Sequence, residues 1–274
     1  MSPDRKPALA SENWPETPKG KGALIRSARD ELGISQAVLS SMAEISQGYY
    51  GQLEKGEVPN PSYLNIIKIA GALGLHLEFW EEAPNHNSQF FLRPEAKTIF
   101  SMLSNGRIPE TSVVNLLAAI NNILPDEPEP LHYISYNKGS AKPINMAILQ
   151  KRVDARFSQE ALARRARLTQ GYLSQLENGN VRNPSIVTIR KLERALGTSF
   201  SHELGLVAVT YPPKVTKLDQ FFRSSQIDPR EKAALRGEIR NLLVILDPPD
   251  QFQGKLASAV LPHLPGKPHQ AIPD

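Results

Sequence analysis

Cysteine is absent from the 274 residues, and with it disulfides, thiolate metal sites and cysteine nucleophiles. No apolar run approaches the roughly 18 residues that a membrane span requires. The N-terminus, Met-Ser-Pro-Asp-Arg-Lys-Pro, lacks the hydrophobic stretch of a signal peptide. These absences lead to the expectation of a soluble, cytoplasmic protein. The six histidines show no HExxH or other ligand spacing, and no glycine-rich phosphate loop follows a strand. No metal, no cofactor and no catalytic residue is therefore expected, and the chain does not read as an enzyme. Net charge is small, +4, which permits a polyanionic partner without requiring one.

What is present is 40% hydrophobic residues, enough to build cores, and 23 prolines that divide the chain. Residues 1–20 and 247–274 are proline-rich and read as disordered tails. Pro125, Pro128 and Pro130, mixed with Asp126, Glu127 and Glu129, mark a linker over residues 125–143. Between them lie two bodies related to each other. Shifted by 123 positions, the 41 residues from Ile34 fall on those from Phe157 with 20 identities and no gap. A match of that density is a duplication, and so long a period makes each copy a domain rather than a solenoid repeat.

Each copy reads as four short helices. In the first, Leu24, Ile25, Ala28 and Leu32 recur at helical spacing up to a Gly33 stop, Ser35 caps a second helix, and Ser46 caps a third, Gln47 to Lys55, closed by Gly56. Pro61 and Ser62 open a fourth that ends at Gly74. Ser158, Thr169, Gly179, Pro184, Ser185 and Gly197 punctuate the second copy in the same way. Beyond each copy, SQFF (88–91) and DQFF (219–222) precede Pro-led amphipathic stretches, Pro109 to Leu124 and Pro229 to Leu246. The fold class is therefore all-α: helical domains at 21–82 and 144–204, with helical appendages at 83–124 and 205–246. Leu131 to Tyr136 and Leu206 to Tyr211 alternate like strands, but a pairing between them is not expected.

Two short helices at a fixed turn, the second displaying polar side chains, make the geometry that sets a helix in the DNA major groove. The string SQ, a Leu seven residues before SQGY or TQGY, then QLE, G, NPS and ALG resembles the Cro/CI-like, or XRE, helix-turn-helix family of bacterial and phage regulators. The resemblance covers about 60 residues twice, a λ-repressor-like domain in each half, and implies double-stranded DNA as partner. It implies base readout by Gln47, Gly48, Tyr49 and Gln52 and by Gln170, Gly171, Tyr172 and Gln175. Phosphate contacts are expected from Ser35, Gln36, Ser46 and Asn60, and from Ser158, Gln159, Thr169, Asn178, Asn180 and Asn183. It further implies that Arg29 with Glu54, and Arg152 with Glu177, form shielded ion pairs bracing the first helix against the third. Where the family usually has glycine, between the second and third helices, Glu44 and Arg167 stand instead.

Charge separates the copies. Residues 21–80 carry five basic and six acidic residues, residues 144–203 ten and five. Phosphate neutralisation supplies most non-specific affinity, so the second copy is the expected stronger binder, through Arg164, Arg165, Arg167 and Arg182. Lys19 and Lys21, flanked by glycines, are expected to form a flexible arm that lends the first copy charge. One reading is a repressor that clasps two related half-sites as a built-in pseudo-dimer, its appendages forming the intrachain interface or joining two chains as a homodimer. The alternative is an antitoxin-like or adaptor protein whose first copy is a protein-docking surface.

Overall fold

The computed structural model describes residues 17–80, 88–124, 131–224 and 226–246. The expected tails up to residue 16 and from residue 247, and the proline cluster at 125–130, lie outside the described residues.

The first copy is α1 (Pro18–Glu31), α2 (Gln36–Met42), α3 (Gln47–Lys55) and α4 (Tyr63–Leu73); the second is α7 (Ile144–Asp154), α8 (Gln159–Arg165), α9 (Gln170–Glu177) and α10 (Ile186–Leu196). The reason these helices start where they do is local. The side chains of Ser35, Ser46 and Ser62 each accept the backbone N–H three residues on, and Ser158, Thr169 and Ser185 repeat the arrangement. Gly56, Gly74 and Gly197 close α3, α4 and α10 in the left-handed conformation. Glu44 and Arg167 also adopt it, at φ 51° and 54°, so the non-glycine turns pass through a region L-residues visit at a cost.

Lys19 and Lys21 are not a flexible arm. Thr17 accepts the N–H of Gly20 and Pro18 opens α1, so both lysines lie in its first turns, and the Lys21 ammonium stands 5.7 Å from the centre of the Trp80 ring. The Thr-Pro start signal outweighs the proline count of the preceding segment.

Three strands and four further helices complete the body: β1 (Gln89–Phe91), α5 (Pro94–Ser104), α6 (Glu110–Ile123), β2 (His132–Tyr136), β3 (Leu206–Ala208), α11 (Pro213–Arg223) and α12 (Pro229–Leu246). The chain is mostly helical, as the all-α reading has it, but the pairing not expected between the alternating runs does form. β2 is the middle strand, antiparallel to β3 with Ile134 opposite Ala208, and parallel to β1 with Phe91 opposite Ile134. A two-stranded ribbon alone is marginal. Here a third strand joins it, and both of its faces are covered: Phe91, Ile134 and Leu206 pack into the core of the duplicated domains, Tyr133 into a second core beyond. The linker over 125–143 thus carries the central strand of a sheet.

The resemblance of SQFF to DQFF does not mark equivalent structure either. The first contributes β1, the second lies inside α11. The matching elements are β1–α5–α6 and β3–α11–α12, with Ala96, Ile99, Met102 and Ile108 answering Val215, Leu218, Phe221 and Ile227 in one shared core. Asp219 and Arg223 of α11 fasten this core to the first copy. Asp219, fully buried, accepts the backbone N–H of Arg93 at 2.6 Å and the Arg223 Nε at 2.5 Å, while Arg223 Nη1 donates to the carbonyl of Gly74 at 2.6 Å.

Candidate nucleic-acid interface

Each copy holds its third helix by one buried carboxylate. Arg29 Nε lies 2.7 Å from Glu54 Oε1, and Arg152 Nε 2.6 Å from Glu177 Oε1; both arginines also donate to the carbonyl of the residue five positions on, Ile34 and Phe157, at 2.9 Å. Removing water from Glu54 pushes its carboxyl up, but the hydrogen bonds from Arg29 and Gln36 more than reverse this and hold it below the usual carboxylate range. The Arg152 guanidinium is raised by its hydrogen bond to Glu177.

The expected phosphate-contacting glutamines are partly spent on these carboxylates. Gln36 Nε2 donates to Glu54 Oε2 at 2.5 Å and Gln159 Nε2 to Glu177 Oε2 at 2.8 Å. A primary amide has two donor hydrogens, so each keeps one, while the glutamate fixes the rotamer. In the second copy the chain of bonds runs one step further, Gln170 Nε2 donating to Gln159 Oε1 at 3.3 Å. Gln170 is thereby oriented by the core ion pair through Gln159. In the first copy Gln47 has no such bond to Gln36 among the described residues.

The leading faces of α3 and α9 are open. Gln47, Gly48, Gln52, Gln170, Gly171 and Gln175 are exposed, while Leu53 and Leu176 are buried, as are Tyr50 and Leu173. Tyr49 and Tyr172 are half-buried and pack against the core. Ser35, Ser46, Ser158 and Thr169 are exposed but occupied as helix caps. Asn60, Asn178, Asn180 and Asn183 are exposed in or beside the loops that follow the third helices.

Arg164, Arg165, Arg167 and Arg182 are all exposed, with no carboxylate partner among the described residues, and Arg165 lies over the Phe157 ring at 5.4 Å. Arg156 belongs with them, although sequence reasoning does not single it out. It stands at φ 56° in the turn before the Ser158 cap, where the first copy has Gly33, and the signal for it is that alignment of arginine with a glycine. At the positions of Arg164, Arg165 and Arg167 the first copy has Ser41, Met42 and Glu44, and Glu44 binds Lys68 and Lys138.

The two copies touch through the same residues. Ser62 and Ser185, 123 positions apart, form an antiparallel bridge in which Tyr63 N donates to Pro184 O at 3.1 Å and Ile186 N to Pro61 O at 3.0 Å. α4 and α10 pack beside it, and one hydrophobic core runs through both copies. A contact in which each partner uses the same patch is isologous and implies an approximate two-fold axis.

No helix among the described residues is long and apolar enough to cross a membrane. A family model described as Helix-turn-helix matches residues 25–80 and again residues 148–202. No curated protein and no solved structure matches the chain. Two such domains support a DNA-binding regulator. The chain carries two domains of the XRE helix-turn-helix family in tandem, one in each half.

Proposed function

We propose that this protein binds double-stranded DNA as a covalent pseudo-dimer, with α3 and α9 in successive major grooves of two related, inverted half-sites, and that it represses transcription by occupying that operator. The observation that carries this reading is the bridge between Ser62 and Ser185, joining equivalent residues of the two copies. A pseudo-dyad in the protein matches the dyad of a palindromic duplex, whose half-site centres lie about 34–36 Å apart. Separate chains meet such a spacing by dimerising; here the tether supplies the second reader at an effective concentration on the order of mM.

Gln47, Gln52, Gln170 and Gln175 suit adenine, since each amide donates to N7 and accepts from the N6 amino group. The arginines of α8 and of the turns beside it bind phosphates and set the register. Glu44, in the place of Arg167, makes the first copy the weaker contributor of electrostatic affinity.

Selection of bound sequences from a random duplex library tests the reading. The expected product is two related half-sites, inverted and spaced by about 10 base pairs. A single isolated motif would overturn it and favour the adaptor reading, with the acidic first copy as a protein-docking surface.

A further inference from the structure

The duplication is broken where α1 and α7 begin, and the break leaves a cavity. In the first copy α1 starts a full turn early and lies directly on α3. A Cβ at Gly22 would stand 2.5 Å from the carbonyl oxygens of Leu53 and Glu54, and one at Gly56 would stand 2.6 Å from Lys19 N. No side chain fits there, and the space is filled by backbone. In the second copy the residue aligned with Gly22 is Asn145, whose amide donates to Glu177 O at 3.4 Å. Residues 141–143, aligned with 18–20, stay outside α7, which begins only at Ile144. Gly179, aligned with Gly56, meets nothing nearer than the Asn145 amide at 3.2 Å.

The space so opened is about 260 Å³ and mostly apolar. Its walls come from Tyr63 and Leu64 at the start of α4, the segment from Ala141 to Asn145 and the loop from Gly179 to Pro184 behind α9, with Tyr136 of β2 and Leu204 completing them. A cavity of about 150 Å³ holds benzene, so this one admits a ring with a short substituent. Two exposed cations, Lys142 and Arg182, belong to its lining, and neither has a carboxylate partner among the described residues. An apolar body with two such cations at its edge matches a small molecule carrying one anionic group.

We propose that this cavity is an effector site for a small aromatic carboxylate, which seats its ring against Tyr63 and Leu64, binds Lys142 and Arg182 through its carboxylate, and weakens DNA binding. Arg182 is one of the phosphate contacts assigned to the second copy, so the inference rests on that reading. An anion held there withdraws Arg182 from the duplex, and the occupied cavity also presses on the loop that carries Pro184 into the inter-copy bridge. Coupling between two ligands is reciprocal, so bound DNA weakens the carboxylate equally.

Calorimetric titration of the full chain with cinnamate, and with cinnamyl alcohol as its neutral analogue, tests the site without DNA. Cinnamate is expected to bind at a single site and the alcohol about tenfold more weakly, the difference that one charge-assisted contact makes. Leu64→Trp, which fills the cavity, is expected to abolish binding. Lys142→Ala, at an exposed position that leaves the fold alone, is expected to weaken it about tenfold. No binding at about 10 mM cinnamate, or equal binding by the wild type and both variants, would overturn the site. A second titration follows a random-sequence duplex with and without saturating cinnamate, where about a fivefold loss of affinity or more is expected. Cinnamate binding with unchanged duplex affinity would overturn the coupling. A chain that binds no duplex at all would instead refute the DNA-binding reading, while the calorimetry still decides the cavity.

Discussion

The two copies share a scaffold and differ in what they display on it. Both brace their third helix by pairing a half-buried arginine with a buried glutamate, Arg29 with Glu54 and Arg152 with Glu177, and both fix a glutamine on the same carboxylate. Around that common frame the first copy puts Ser41, Met42 and Glu44 where the second puts Arg164, Arg165 and Arg167. Packing determines which residues the frame retains, because a stranded buried charge is expensive. The exposed positions carry no such cost and are free to diverge. Foldedness and electrostatic affinity are thus set by different residues within one small domain, so one copy can weaken as a binder without weakening as a structure.

The largest expected effect tests the shared frame. Glu54→Ala and Glu177→Ala should each cost about 1.5–3 kcal/mol, read from denaturant unfolding, since each removes the buried carboxylate that accepts charge-assisted hydrogen bonds from Arg29 or Arg152. A large loss in one copy only would show that the frames are not equivalent. The contrast in charge comes next. Replacing Arg164, Arg165 and Arg167 by alanine should flatten the dependence of log affinity on log salt by about 0.9 for each phosphate no longer neutralised. An unchanged slope would remove these arginines from the interface. For readout, Gln170→Ala should weaken binding by about 1–3 kcal/mol on the selected site and little on random DNA. Gln47→Ala should have a smaller effect, because Gln170 is held by Gln159 while Gln47 lacks that bond among the described residues; equal effects would break this part of the comparison. Glu44→Arg shifts the first copy toward the second and should steepen the salt slope by about 0.9.

The smallest effect is in pH. The Glu54 carboxyl lies below its ordinary value of 4.5 in the folded protein. Its stabilisation is therefore complete above that value and is lost as pH falls below it, through the folded-state pKa. The stability difference between wild type and Glu54→Gln should be constant from neutral pH down to about 5 and shrink below 4.5. A difference that grows on acidification would contradict the depressed pKa.

Local features can be read from the residues alone. Ser46 and Thr169 cap α3 and α9 as their positions imply, and Gly56, Gly74 and Gly197 end helices, because caps and left-handed turns depend on a few neighbouring residues. The sheet cannot be read that way. β1 has three residues and pairs with a strand some 40 positions away, a contact that loop closure hides from any local pattern. The match of SQFF to DQFF misleads for a related reason: an aromatic pair after a polar residue suits a strand edge and a helix face equally well, and the environment decides. The prolines and glycines near Lys19 and Lys21 suggest a tail, although Thr17 and Pro18 form a helix start.

The sequence by itself determined that there are two copies, where most of their helices begin and end, which apolar residues face their cores and how differently they are charged, since these follow from periodicity, capping and composition. The tertiary structure alone decided that the copies meet through Ser62 and Ser185, that the linker becomes the middle of a sheet, and that an early turn of α1 fills in one copy the space left open in the other. Contacts between identical strings carry no mark in the strings themselves. They exist only once the chain has closed on itself.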